Sequence, residues 1–534
     1  MKVDYLIIGA GMAGLTLKHF LKNERTVLLD PAPGGYKVGE SVIPETFRHP
    51  ELKALLPAVR ELPSYSKKKG TLFISPTSVA SFPIPTRGRE LSMHVARHEL
   101  EDLLRTRWQL DVECERVEAI DFRSRRVTTN RRTYQVRHQI LDCSGPAMVV
   151  ARAAGVLQEA QPVYATWAYL DIEGTDFSRY QAHLQQTGQR LLRYDGIQGR
   201  VLPGEEEPGW EPSHTTVLTQ LEEGLWSWQI PLFRETLLSF GLVSRKGKID
   251  ADTLFDWVEK SHCPHYALKR RPRDRTQAYD RVHTRNRFAQ VASTAATLDA
   301  ILVSDAAAFG DPVYSVGTGV AVNKAIEVAA LLNEGGWTPD KCARYCADQE
   351  RMMKRALAAF EQWYSGQVLN DEQAATEVQE NFLLGNTFQV GIATHYSQVL
   401  VDAAPAPSHQ DIGRLGPSPV QHAPPGWVND VRTLLPLDGS NALVGWHFEG
   451  PLPLSNGVQL RWSRENRPEL IMLIRHISDA TRYYRRVGEV TLAFMNLWDG
   501  PYPLDEYGRA LFDALEVSIE GQNPAWLALF PKGN

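Results

Sequence analysis

The sequence predicts an α/β protein with a dinucleotide-binding unit at its start, and three observations lead there. Residues Asp4 to Ile8 form an apolar strand pattern, followed by Gly9-Ala10-Gly11-Met12-Ala13-Gly14 and an apolar helical stretch through Leu21. A second strand-to-helix passage lies near residue 305, where Ile301-Leu302-Val303-Ser304-Asp305 leads through Ser315-Val316-Gly317-Thr318-Gly319 into a helix-forming run from Val320 to Leu332. Finally, prolines punctuate residues 403–426, and strand and helix patterns begin afresh after them.

The first unit has the full context that a glycine loop needs. Strand, tight turn and helix N-terminus suit a pyrophosphate, and the next strand, Thr26-Val27-Leu28-Leu29, ends in Asp30, about twenty residues past the first glycine, where an acid accepts ribose hydroxyls. The organisation expected is a main domain over 1–365, with a substrate-side sheet at about 160–290, then a helical connector over 366–402 and a Pro-rich linker over 403–426. Residues 427–534 read as a small α+β domain: Ala442 to His447 and Val458 to Trp462 as strands, Leu470 to Tyr484 and Leu504 to Leu515 as helices.

Composition narrows the function classes. The chain has 534 residues, 43% of them hydrophobic, and a net charge of −5, so no basic field points to nucleic acid or an anionic membrane. Five cysteines, Cys114, Cys143, Cys263, Cys342 and Cys346, are scattered without a C-x-x-C pair, which predicts neither a disulfide framework nor a metal site and fits a reducing cytoplasm. Cys342 and Cys346 share a helix face, as packing residues do. Met1-Lys2 runs directly into a strand pattern, and no apolar run reaches the ~18–20 residues of a membrane span, so the expectation is a cytoplasmic protein without a leader or membrane segment.

Three further motifs carry chemistry. Gly39-Glu40-Ser41-Val42-Ile43-Pro44 follows the first βαβ unit, its glycine allowing close backbone approach and its proline stiffening the exit. Trp226-Ser227-Trp228-Gln229-Ile230-Pro231 places two tryptophans at i and i+2 of a strand, so both point to one face with Ile230 extending the wall. In Tyr65-Ser66-Lys67-Lys68-Lys69-Gly70-Thr71-Leu72-Phe73, alternate residues of an extended segment face opposite ways, so one lysine turns inward.

Together, G-x-G-x-x-G, G-E-S-x-x-P, W-x-W-x-I-P and the lysine segment resemble the FAD-dependent halogenases, within the glutathione-reductase-type FAD monooxygenases. The resemblance covers about residues 1–365. It implies a Rossmann-type FAD-binding domain with an inserted antiparallel sheet, followed here by the helical segment and the small α+β domain. It assigns FAD to Gly9, Ala10, Gly11, Ala13, Gly14 and Asp30, to the strap Gly39, Glu40 and Ser41, to Arg97 opening a helix, and to Asp305, Pro312, Gly317, Thr318 and Gly319. Ser304 stands where the family's second flavin motif has glycine. Halide falls to the backbone of Val316 and Gly317. Aligning Phe73 with the family's aromatic makes Lys68 the catalytic lysine, with Lys69 the competitor, beside the wall of Trp226, Trp228, Ile230 and Pro231.

Tryptophan halogenases carry a glutamate where this chain has Tyr314, so the likeness is to the branch acting on phenols, pyrroles or acyl groups. What it implies is a two-component enzyme: FADH2 from a separate flavin reductase, oxygen, and chloride or bromide yield hypohalous acid, which halogenates an electron-rich aromatic, free or carrier-tethered, in secondary metabolism. Two alternatives remain open at this point, a single-component FAD-dependent aromatic hydroxylase using NAD(P)H and a flavin-binding protein without turnover.

Overall fold

The computed structural model describes residues 1–47, 49–83, 92–195, 200–203, 214–271, 277–315 and 317–364, with the pairs 452–453 and 459–460. Its organising element is a four-stranded parallel sheet in the order Ala300–Leu302, Ile140–Asp142, Tyr5–Ile8, Thr26–Leu29. Tyr5–Ile8 is buried along its whole length, as a central parallel strand covered on both faces must be, which explains why it reads as an unbroken apolar run. Its neighbours on either side come from different parts of the chain. The carboxyl ends of the strands therefore open a crevice at Ile8, where the chain crosses from one side of the sheet to the other.

The helix Met12–Phe20 starts in that crevice with Gly11 as its N-cap, a residue with no side chain of its own to cap it. It buries Met12 through Leu17 and packs against Gly317–Asn333, a helix that begins beside the same crevice. The two phosphate-facing and flavin-facing helices of the expected fold are thus one packed pair.

The second large element is a ten-stranded sheet. It runs Arg200–Pro203, Arg190–Asp195, Ser78–Pro83, Gly70–Ile74, Thr215–Glu222, Leu225–Leu232, Leu237–Ser244, Tyr164–Thr175, Tyr266–Arg270, with His283–Arg285 also on the long Tyr164–Thr175 strand. It is antiparallel except at two seams, where the Gly70–Pro83 hairpin enters between later strands: Gly70–Ile74 lies parallel to Thr215–Glu222, and Ser78–Pro83 parallel to Arg190–Asp195. The sheet therefore draws on a hairpin that precedes the 160–290 span.

Leu225–Leu232 and Leu237–Ser244 are buried at every position, one face toward each of two cores. Phe73, Leu218, Trp226, Trp228 and Ile230 share the inner core. Leu72, Val217 and Leu238 pack on the other side with Tyr180 of the helix Phe177–Thr187. Pro231 fits this central strand because pairing with Thr215–Glu222 stops at Gln229↔Val217, so the missing proline N–H forfeits no bond there.

A third, three-stranded sheet joins Ser41–Val42, Met93–His94 and Ser66–Lys67, with His94 opposite both Ser41 and Ser66. It ties the G-E-S segment to the lysine segment. The connector 366–402 and the Pro-rich linker 403–426 lie outside the described residues, as does 427–534 apart from a two-strand pairing of Leu452–Pro453 with Gln459–Leu460. The five cysteines form no disulfide, and among the described residues no helix is long and apolar enough to cross a membrane.

Candidate functional site

A cavity of about 440 Å³ runs from the glycine loop to the tryptophan strand. One end is lined by Gly9, Gly11, Ala13 and Asp30, the middle by Gly39, Glu40, Ser41, Arg97, Asp305, Pro312, Gly317 and Thr318, and the far end by Trp226, Trp228 and Ile230. Motifs more than two hundred residues apart in sequence thus border one space. Ala10, Gly14, Gly319, Pro231 and Lys68 are not on its surface. Val316 lies outside the described residues, so of the expected halide backbone only Gly317 is placed, at the first turn of its helix.

The three loop glycines do different work. A Cβ on Gly9 would stand 2.5 Å from the Cys143 carbonyl oxygen, and one on Gly14 1.8 Å from that of Gly9, so both are demanded by packing. A Cβ on Gly11 meets nothing nearer than 3.4 Å, which leaves Gly11 as the glycine with an open face on the cavity. Asp30 is set by its own bonds: one carboxylate oxygen accepts from the Ala10 N–H and the other from the Ala32 N–H, each at 2.8 Å.

Glu101 accepts from the Met12 N–H at 3.2 Å, at the open helix end, and is bracketed by Lys37 at 2.7 Å and Arg97 at 3.2 Å. Lys37 also lies 4.0 Å from Asp30, so two cations and two carboxylates balance at this end of the cavity, and what favours an anion there is the open helix N-terminus. Lys37 was not singled out by sequence reasoning, and only its position just before the Gly39 turn marks it. Gly39 has φ +115°, and its absent side chain makes room for Arg97, whose guanidinium lies 3.3 Å from where a Cβ would be.

In the middle of the cavity, Asp305 follows the Ala300–Leu302 strand. Ser304 takes φ +54°, the left-handed conformation for which the family's glycine is suited. The turn is kept at a local cost of roughly 1–2 kcal/mol. Burial pushes the Asp305 carboxyl up to about 6, against the pull of Arg97 and the Ser304 hydroxyl. Glu40 is buried, and its carboxyl is raised by burial although Tyr169 donates to it at 2.5 Å and Gly39 N–H at 3.2 Å. Tyr36, in turn, shares a 2.6 Å hydrogen bond with Tyr169 and accepts one of 2.8 Å from the Trp167 ring N–H.

The tryptophans form the end wall. Their ring centroids are 6.1 Å apart, and Trp167 extends the wall at 6.2 Å from Trp228. Trp228 lies flat over Gly241 of the neighbouring strand, where any Cβ would come within 2.1 Å of the indole, and its ring N–H donates to Ser239 at 3.2 Å. Trp226 donates to the Tyr364 hydroxyl at 3.0 Å, and that hydroxyl donates to Asp311, whose carboxyl burial raises to about 6. The wall is therefore anchored to the segment that leads into the Gly317 helix. Gly241, Ser239 and Tyr364 carry no motif, and sequence reasoning passed over them.

Of the three lysines, Lys67 is exposed, Lys69 is half-buried and Lys68 is 2% exposed. Lys68 Nζ donates to Ser41 Oγ at 2.9 Å, and Ser41 with Thr216 forms the cavity wall in front of it. The parity argument thus holds for the middle lysine: it shares the inward side with Ser66, two residues earlier.

No protein-family model and no curated protein matches this sequence. Solved structures do. The chain is similar to the flavin-dependent brominase Bmp2, at 15% identity and a TM-score of 0.53 over 72% of this chain and 93% of that one. It is similar to halogenase PltM in complex with phloroglucinol and FAD, at 15% identity and a TM-score of 0.53 over 93% and 95%. A third likeness is to the myxobacterial chondrochloren halogenase CndH, at 20% identity and 0.51 over 72% and 90%. At such identities the likeness is one of fold: the chain has the fold of the flavin-dependent halogenases.

Proposed function

We propose that this protein is a flavin-dependent halogenase of the non-tryptophan branch, using FADH2 from a separate reductase, oxygen, and chloride or bromide to halogenate an electron-rich aromatic. The observation that carries the reading is the single cavity with a dinucleotide-type glycine loop at one end, the Trp226 and Trp228 wall at the other, and buried Lys68 behind Ser41. Bound there, reduced FAD would activate oxygen and so supply the oxidant for halide.

The chain's own residues have the remaining roles. Gly11 and the Lys37–Glu101–Arg97 cluster hold the pyrophosphate, Asp30 the ribose, and Asp305 with the Gly317 helix the flavin end. Trp226 and Trp228 keep organic substrate from the flavin, and the Gly317 N–H, with that of Val316, cradles halide. Lys68, a hydrogen-bonding ammonium, holds and orients hypohalous acid toward the substrate carbon.

The test is a reconstituted assay with a flavin reductase, NADH, oxygen and a panel of phenols, indoles and pyrroles, supplied separately with chloride and bromide and read by mass spectrometry. Halogenated product supports the proposal. Oxygen insertion with no halogenated product at any halide concentration overturns it in favour of a hydroxylase.

A further inference from the structure

Behind the cavity wall a line of buried polar groups runs from Lys68 to a histidine that no motif contains. Lys68 Nζ donates to Ser41 Oγ at 2.9 Å, Ser41 Oγ lies 3.2 Å from Thr216 Oγ1, and Thr216 Oγ1 lies 2.8 Å from His94 Nε2. Lys68 is 2%, Ser41 7%, Thr216 1% and His94 0% exposed. The small sheet builds the line, since Ser41 and His94 are directly opposed and such residues project to the same face. Thr216 comes from the large sheet, one residue into the strand that runs parallel to Gly70–Ile74.

We infer that His94 is a positioning residue for Lys68: its neutral ring is the terminal acceptor of a directed line of hydroxyls that holds the Lys68 ammonium behind the cavity wall. This rests on the halogenase reading only for what Lys68 then does. Donor and acceptor counts fix the first link. An ammonium can only donate, so Ser41 Oγ accepts from it and its own proton must go elsewhere. Thr216 Oγ1 is an acceptor within reach, and a line directed this way sends the Thr216 proton to His94 Nε2, which then carries a lone pair and leaves the ring proton on Nδ1.

Electrostatics favours the same direction. Beside a buried positive charge, hydroxyl dipoles turn their oxygens toward it and their protons away, so each link strengthens the next. A protonated His94 would reverse the last link and place a second buried cation beside the first. Burial and the Lys68 charge both push the ring toward its neutral form. Near the line, His214 Nδ1 lies 3.1 Å from the Glu235 carboxylate.

Two measurements test the inference. Nitrogen-15 histidine NMR on the flavin-free protein, with the His94 signal assigned by its loss in His94→Gln, should show Nδ1 protonated and Nε2 unprotonated near neutral pH. In the reconstituted assay, the ratio of halogenated product to reduced flavin consumed should fall at least tenfold in Thr216→Val and in His94→Phe, and Thr216→Ser, which restores the hydroxyl, should regain most of it. A merely structural role for Thr216 would make valine, of nearly the same shape, the better substitute than serine. An Nε2–H or doubly protonated His94, or a Thr216→Val protein with the ratio unchanged, overturns the inference. If the unaltered protein halogenates nothing, the halogenase reading fails on its own, and the ring tautomer still decides the line.

Discussion

A methyl group added at Gly241 probes the tryptophan wall without touching either tryptophan. The Cβ of Gly241→Ala would lie 2.1, 2.2 and 2.4 Å from three atoms of the Trp228 indole. Ordinary carbon contact is about 3.5–4 Å, so the ring must retreat by more than 1 Å. Overpacking of this kind costs about 1–3 kcal/mol, and drawing Trp228 off Ser239 adds about 1 kcal/mol, whereas replacing a strand glycine returns about 0.5–1 kcal/mol. The clash wins, and urea unfolding should show a net loss of about 1–3 kcal/mol. Because Trp228 borders the cavity, the displaced ring moves into it, and halogenated product should fall while hydrogen peroxide release rises. The double variant Gly241→Ala with Trp228→Phe places a smaller ring over the methyl group and should recover part of the lost stability, a coupling that a double-mutant cycle measures. Gly241→Ala with unaltered stability and product yield would refute the placement of the Trp228 ring and the reasoning built on it.

The remaining expectations concern the cofactor end, the lysine and a buried acid. A Cβ at Gly11 makes only ordinary contacts, so Gly11→Val should fold with a near-normal urea midpoint and yet lose FAD affinity by at least tenfold in a fluorescence titration; equal affinity would sink the assignment of that loop. Lys68→Ala should lower halogenation ~10³-fold or more with FAD still bound, while Lys69→Ala, whose backbone N–H rather than its side chain makes the bond to His214, should remain active. If Lys69→Ala is the dead variant, the lysine register is off by one. The folded Asp311 carboxyl titrates at about 6, above its unfolded value of about 3.9, so the folded state holds the extra proton between them. Stability of the unaltered protein relative to Asp311→Asn should therefore fall by on the order of 1–3 kcal/mol as pH rises from about 4 to above 6, as urea titrations at both ends would show; a difference independent of pH would contradict the burial of that group.

Local patterns alone were enough to locate the βαβ unit, because a glycine loop, a buried strand and a terminal acid are contiguous and each answers to nearby backbone geometry. Alternation likewise placed Trp226 and Trp228 on one face and required one of the three lysines to turn inward, while the choice of Lys68 came from the alignment of Phe73. Local pattern could not show that Leu225–Leu232 is buried on both faces, since a covered strand still alternates between two cores. Nor could it show the Gly70–Pro83 hairpin inserted between strands more than a hundred residues later. Gly241 under Trp228, Tyr364 on Trp226, Lys37 beside Glu101, and His94 opposite Ser41 are all pairings across long stretches of chain. They depend on strand register and helix packing, quantities that no single segment encodes. The sequence by itself determined which residue types were available for the chemistry, and the tertiary structure alone decided which of them meet, because a hydrogen bond or a ring contact is a matter of a few ångströms between elements whose relative positions only the folded core sets.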